Sequence, residues 1–186
     1  MGTVAGGTAL LVIDMQEAVL AHCVDVHGVI ARINALTQRA RHAGAPIVFI
    51  QHQDPDDPES QMVPGSPGWQ LAAGLDRHVD DPVVAKTYRD GFADTELGAT
   101  LATSAAQRLV VTGAQSDFCV QTTALSALLR GYDVTLASDA HTTMPTLLPG
   151  GELSAEMIIQ FVNRRFATLR HPGRTVEVLP AADVAL

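Results

Sequence analysis

LVVTGAQSDFCVQTTALSALLRGYDVTLAS, residues 109–138, reads as a strand, a turn, a helix and a second strand. Leu109–Thr112 is an apolar run of strand length. Cys119–Arg130 has helical spacing and closes at Gly131, a residue suited to the left-handed conformation that follows a helix. Asp133–Ser138 is the next apolar run. Two strands joined through a helix predict a parallel pair with the helix lying on the sheet.

The same alternation continues on both sides. Upstream, Ala9–Ile13 and Ile47–Ile50 read as strands. Between them Val29–Ala43 puts Val29, Ile33, Leu36 and Ala40 on one helical face and ends at Gly44. Val83–Ala85 reads as a third strand, and Asp94 or Thr95 can cap a helix running towards Ala106. Downstream, Leu153–Phe166 reads as a helix and Thr175–Leu179 as a last strand. The stretch Gln53–Gly68, with Pro55, Pro58, Pro64 and Pro67, is a long loop of the kind that often carries function. The pattern predicts an α/β fold: a mainly parallel six-stranded sheet with helices on both faces. No linker divides residues 1–186, which are read as a single domain.

Composition narrows the function. The chain is 186 residues long, 47% hydrophobic and only 4% aromatic, so Ala, Val and Leu must fill its core. Its net charge of -8 argues against a nucleic-acid backbone or an anionic membrane as partner. No apolar run has the length of a membrane span. The opening MGTVAGGTALLVID lacks a basic leader, so the expected location is the cytoplasm. Cys23 and Cys119 lie too far apart in a chain of this size to suggest a disulfide framework.

In open α/β sheets, ligands bind beyond the carboxyl ends of the strands. Asp14 follows the first strand, His52 the second and Lys86 the third. Cys119 follows the fourth, and Asp139 and His141 follow the fifth. A cysteine where a helix begins, near a lysine, is expected to be held as thiolate, with the carboxylate moving protons. Each residue alone has a plainer reading: Cys119 a buried inert thiol, Asp14 a cap or turn residue, Lys86 a solvated lysine at a strand end. Cys23, away from the strand ends, reads as a core or surface thiol. A nucleotide-binding reading fails because IDMQEAVL has no glycine-rich turn after the first strand. A serine-hydrolase reading fails for want of a G-x-S-x-G motif and of an evident histidine beside Ser116.

Three blocks resemble the isochorismatase-like cysteine hydrolases: ALLVIDMQEAVL, VVAKTYRDGFADTELGATL and LVVTGAQSDFCVQTTALSALLRGYDVTLASDAHTT. They occur in that family's order from Ala9 to Thr143. The resemblance implies a three-layer Rossmann-like fold and a homo-oligomer, dimer or tetramer. It implies Cys119 as nucleophile, Asp14 as proton acceptor and donor, and Lys86 as the residue holding both. It also implies a cis peptide between Ala114 and Gln115, an oxyanion hole from the backbone N–H groups of Gln115 and Cys119, and a thioester intermediate. The reaction implied is hydrolysis of a small-molecule amide, lactam or N-carbamoyl bond. A vinyl-ether hydrolase of the isochorismatase type and a non-catalytic member of the fold stand as alternatives. The nicotinamidase branch carries an Asp-x-His metal motif where this chain reads Gln51, His52 and Gln53, so no metal and no other cofactor is expected. PGSPGWQL and LSAEMIIQFVNRRFATL look like the streptothricin hydrolase-like, non-metal subgroup. Gln16, His52, Trp69, Tyr88 and Phe92 are candidate pocket residues. The acidic loop Asp54–Glu59 would suit a cationic ligand.

Overall fold

The computed structural model describes residues 7–186. The first six residues, which include part of the opening stretch read above for a leader, lie outside the described residues. Six strands form one sheet: β1 (Gly7–Ile13), β2 (Ile47–His52), β3 (Val83–Lys86), β4 (Ala106–Ala114), β5 (Asp133–Thr142) and, as the last, β8 (Val176–Leu179). Their order is β3-β2-β1-β4-β5-β8, and every neighbouring pair is parallel. The chain order reverses between β1 and β4. Both therefore end in the crevice where such sheets bind ligands.

Successive residues of β1 serve opposite faces, as the pleat requires. Leu10 and Val12 join Val29, Ile33, Leu36 and Ala40 of α2 (Val26–Ala43) in one core. Ala9, Leu11 and Ile13 join the other core, built on α3 (Leu97–Ala102), α4 (Gln121–Leu129) and α5 (Ala155–Thr168). The result is three layers. A one-turn helix, α1 (Glu17–Leu20), follows the first strand.

Several boundaries differ from those expected. The helix beginning at Cys119 starts instead as a π-type turn over Ser116–Val120, with α4 following from Gln121. The helix towards Ala106 is only Leu97–Ala102, and Asp94 before it has a left-handed φ of 55°. Leu153 belongs not to a helix but to a hairpin, β6 (Thr146–Leu148) with β7 (Gly151–Leu153). The helix after it starts past Ser154, whose Oγ accepts from the Met157 N–H. α1 and the hairpin were not anticipated, because one turn or three residues is too short to show a period.

Gly113 is the one glycine that the site requires. Its φ is +116°, and a Cβ there would lie 2.0 Å from the Ile13 carbonyl oxygen. Only a residue without a side chain lets β4 pass this close to β1 at the point where the chain turns into Asp14.

Candidate active site

Asp14 leaves β1 with a left-handed φ of 47°, uncommon for a residue with a side chain. Its N–H donates to the Ile50 carbonyl at 2.8 Å, which fixes this turn against β2. Lys86 ends β3 two strands away, and Cys119 sits in the turn after β4. Their side chains meet. Lys86 Nζ lies 2.7 Å from Asp14 Oδ2, with the two side chains 0% and 1% exposed. The same ammonium donates to Cys119 Sγ at 3.3 Å. It also lies 3.1 Å from His52 Nδ1 and donates to the Tyr88 carbonyl at 3.1 Å. Four acceptors thus surround a group with three N–H bonds. The second carboxylate oxygen of Asp14, Oδ1, is buried with no hydrogen-bond partner among the described residues.

The electrostatics differ from the resting thiolate expected. Burial pushes the Cys119 thiol up, the Asp14 carboxylate pushes it further, and Lys86 offsets only part, leaving it at about 12. Burial also raises Asp14, against the opposing pull of Lys86. Both shifts favour the neutral form, thiol and carboxylic acid alike, over the charged one.

Asp14, His52, Gln115 and Cys119 line a cavity of about 290 Å³, together with Val19, Met62, Arg89 and Phe118. The Ala114–Gln115 peptide is cis. Gln115 leads into the turn, and its carbonyl accepts from the N–H groups of Phe118 and Val120. Both nitrogens of the His52 ring have protein partners, Lys86 on one side and Asp54 Oδ1 at 3.1 Å on the other.

The other candidate pocket residues lie elsewhere. Gln16 is fully buried and braces the strand ends: its Nε2 donates to the His52 and Trp69 carbonyls, and its Oε1 accepts from the His52 N–H. Trp69 borders a different cavity, beside Gln51 and Leu71, because its carbonyl is held by Gln16 and Gln51. Tyr88 presents its carbonyl to Lys86 while the residue itself is exposed. Phe92 is buried in the core and stacks on Tyr132. Val19, Met62, Arg89 and Phe118 were missed, although Arg89 and Phe118 directly adjoin residues already singled out.

Ser116 needs a correction. It does have a histidine: its Oγ lies 2.7 Å from His141 Nδ1, and His141 Nε2 lies 3.0 Å from Asn163 Oδ1. Ser116 is 0% exposed and does not line the cavity. The chain of contacts ties the cysteine turn to β5 and α5. Burial lowers the pKa of His141, keeping the imidazole neutral in that role.

A carboxylate, an ammonium and a thiol that converge at the reversal point of a parallel sheet set the context for the relatives. Residues 8–158 match the isochorismatase domain. The chain belongs to the isochorismatase-like hydrolase family. A streptothricin hydrolase from Streptomyces noursei is 40% identical over 177 residues, covering 94% of this chain and 68% of that protein. A ureidoacrylate amidohydrolase from Pseudomonas syringae is 31% identical, covering 75% and 73%. The crystal structure of a cysteine hydrolase from Pseudomonas syringae pv. phaseolicola superposes with a TM-score of 0.85 over 95% of this chain and 89% of that one; at 22% identity it speaks for the fold. As a member of the isochorismatase-like family, the chain is a hydrolase. No helix among the described residues is long and apolar enough to cross a membrane.

Proposed function

We propose that this isochorismatase-like hydrolase cleaves a small-molecule amide, lactam or N-carbamoyl bond with Cys119 as nucleophile and a thioester as intermediate. The observation that carries this reading is the Lys86 ammonium held between Asp14 and the Cys119 sulfur at the wall of one cavity. The streptothricin hydrolase and ureidoacrylate amidohydrolase relatives support carbon–nitrogen chemistry.

As the sulfur attacks the carbonyl carbon, its proton passes to Asp14, whose Oδ1 has no other partner. The Lys86 ammonium then faces a forming thiolate at close range and stabilises it. The N–H groups of Gln115 and Cys119 receive the oxyanion. Asp14 returns the proton to the leaving nitrogen as the C–N bond breaks, which leaves a thioester. Water, giving a proton to Asp14, then cleaves the C–S bond. The product is a carboxylic acid, or a carbamic acid from an N-carbamoyl substrate, and the thiol is restored. A vinyl-ether hydrolysis would need the acid and the lysine but not the thiol, so a sulfur within reach of Lys86 favours the amide chemistry.

Cys119→Ser is expected to fold normally and to lose at least about a thousandfold in kcat on any amide that the wild type turns over. A trapped acyl adduct of +1 substrate acyl mass on the Cys119 peptide, seen by mass spectrometry after acid quench, would identify the thioester. Wild-type rates in the serine variant would remove the thiol from the mechanism.

The chain is also proposed to work as a homo-oligomer. What supports this is an apolar face beside the cysteine turn, where Leu147 is 83% and Phe161 60% exposed and a cavity of about 660 Å³ runs between the β6–β7 hairpin and α5. Light scattering on a sizing column is expected to give a dimer or tetramer, which Phe161→Glu shifts towards monomer. A monomeric wild type at micromolar concentration would refute the assembly.

A further inference from the structure

The cavity wall carries one charged group that the proposed chemistry does not use. The Arg89 guanidinium lies over the Phe118 ring, 4.2 Å from its centroid, and both residues line the cavity beside Cys119. One face of the guanidinium is taken up by the ring. None of its N–H donors has a hydrogen bond or ion pair among the described residues.

The nearby acids are already engaged. Asp14 is paired with Lys86, and Asp54 is held by His52 and the Ser60 hydroxyl. Asp90 accepts from Ser126 and from the Phe92 N–H, and Asp117 accepts from Thr143. The expectation of a cationic ligand on the acidic loop Asp54–Glu59 therefore loses its main support: the residue that this loop region sends to the cavity wall is Met62, and the Asp54 carboxylate is turned to His52.

Arg89 is exposed, but the backbone that carries it is held in place. The carbonyl of Tyr88, just before it, accepts from Lys86, and its own carbonyl accepts from Thr123. A guanidinium supported on an aromatic face presents a planar fork that matches a carboxylate in two parallel hydrogen bonds. In a chain of net charge -8, an unpaired cation at the cavity wall is a local exception to the surrounding field.

We propose that the substrate carries a carboxylate on the side away from the scissile C–N bond, and that Arg89, braced by Phe118, binds it. This rests on the amide-hydrolase reading of the site. Arg89 is a specificity residue in this scheme: the bond broken is set by Cys119, Asp14 and Lys86, and the substituent accepted is set by Arg89. Arg89 and Cys119 share one cavity of about 290 Å³, which places the carboxylate only a few atoms from the reacting carbonyl.

The test is a ligand-observed NMR titration on the Cys119→Ala protein, in which binding is measured without turnover. The probes are three primary amides of similar length: succinamate, its methyl ester and β-alaninamide. Succinamate is expected to bind at least about tenfold more tightly than the other two, the size of effect usual for a hydrogen bond to a charged group. Adding Arg89→Gln should remove that advantage while changing the ester by less than about threefold. Equal or tighter binding of the ester or of β-alaninamide would overturn the proposal. So would undetectable binding of succinamate, or an Arg89→Gln variant that weakens all three alike or none. Because the thiol is absent throughout, this result is independent of whether Cys119 proves to be the nucleophile, which the serine variant decides separately.

Discussion

Asp14→Asn is expected to cut turnover by about a hundredfold to ten-thousandfold, the usual range for removing a general base, and at the same time to make Cys119 easier to alkylate at neutral pH. The two effects have opposite signs because Asp14 has two influences on the sulfur. In the proposed reaction it accepts the proton. At rest its negative charge adds to burial in holding the thiol at about 12. Replacing it with a neutral amide leaves Lys86 beside the sulfur without the opposing charge, so the thiol pKa falls and the thiolate fraction at pH 7.5 rises. Iodoacetamide labelling followed by mass spectrometry measures this directly. Cys23, pushed up to about 11 mainly by burial, is the internal reference. In the wild type both cysteines should label slowly. In Asp14→Asn only Cys119 should accelerate. Unchanged or slower labelling of Cys119 would show that the carboxylate does not control the sulfur.

Lys86→Met is the change expected to cost the most stability. It removes one member of a salt bridge whose side chains are almost wholly buried, which leaves Asp14 without its counter-charge. Breaking such a pair from one side typically costs about 3–5 kcal/mol, because the remaining charge must be neutralised or stay unpaired in the interior. Denaturant unfolding of the variant should show that loss as a lower midpoint at neutral pH. The double variant Asp14→Asn/Lys86→Met supplies the control. With both charges gone, most of the lost stability should return although the protein stays inactive. A double variant no more stable than Lys86→Met would place the cost in lost packing of the lysine stem rather than in the ion pair.

The parts of this architecture that were readable in advance are those with a strong local period. β1, β2, β4 and α2 announce themselves through apolar runs or a helical stripe, and Asp14, Lys86 and Cys119 could be placed because each stands at or shortly past the carboxyl end of a strand. The partner of Ser116 could not be found that way. The β4–β5 pairing jumps from Val111 opposite Leu136 to Gly113 opposite His141, and this irregularity carries the histidine alongside the cysteine turn. No two-residue period encodes such a shift. Arg89 and Phe118 were overlooked for a different reason. Their significance comes from stacking across two segments distant in sequence, which neither segment reveals alone. The raised thiol pKa was also hidden, since it depends on how deeply the sulfur is buried and how near Asp14 comes.

The crowding at Lys86 has a consequence for timing. Three hydrogens cannot serve four lone-pair sites at once, so the ammonium rests in a frustrated arrangement with one neighbour always underserved. When negative charge migrates from carboxylate to sulfur, the hydrogens can be redistributed by a small rotation about one C–N bond, with no heavy atom travelling far. The carbonyl of Tyr88, uncharged and directly ahead of Arg89, is the natural loser in that exchange. In the proposed reaction each step would thus loosen or tighten the strap that carries Arg89, linking its proposed hold on a carboxylate to the charge on the Cys119 sulfur.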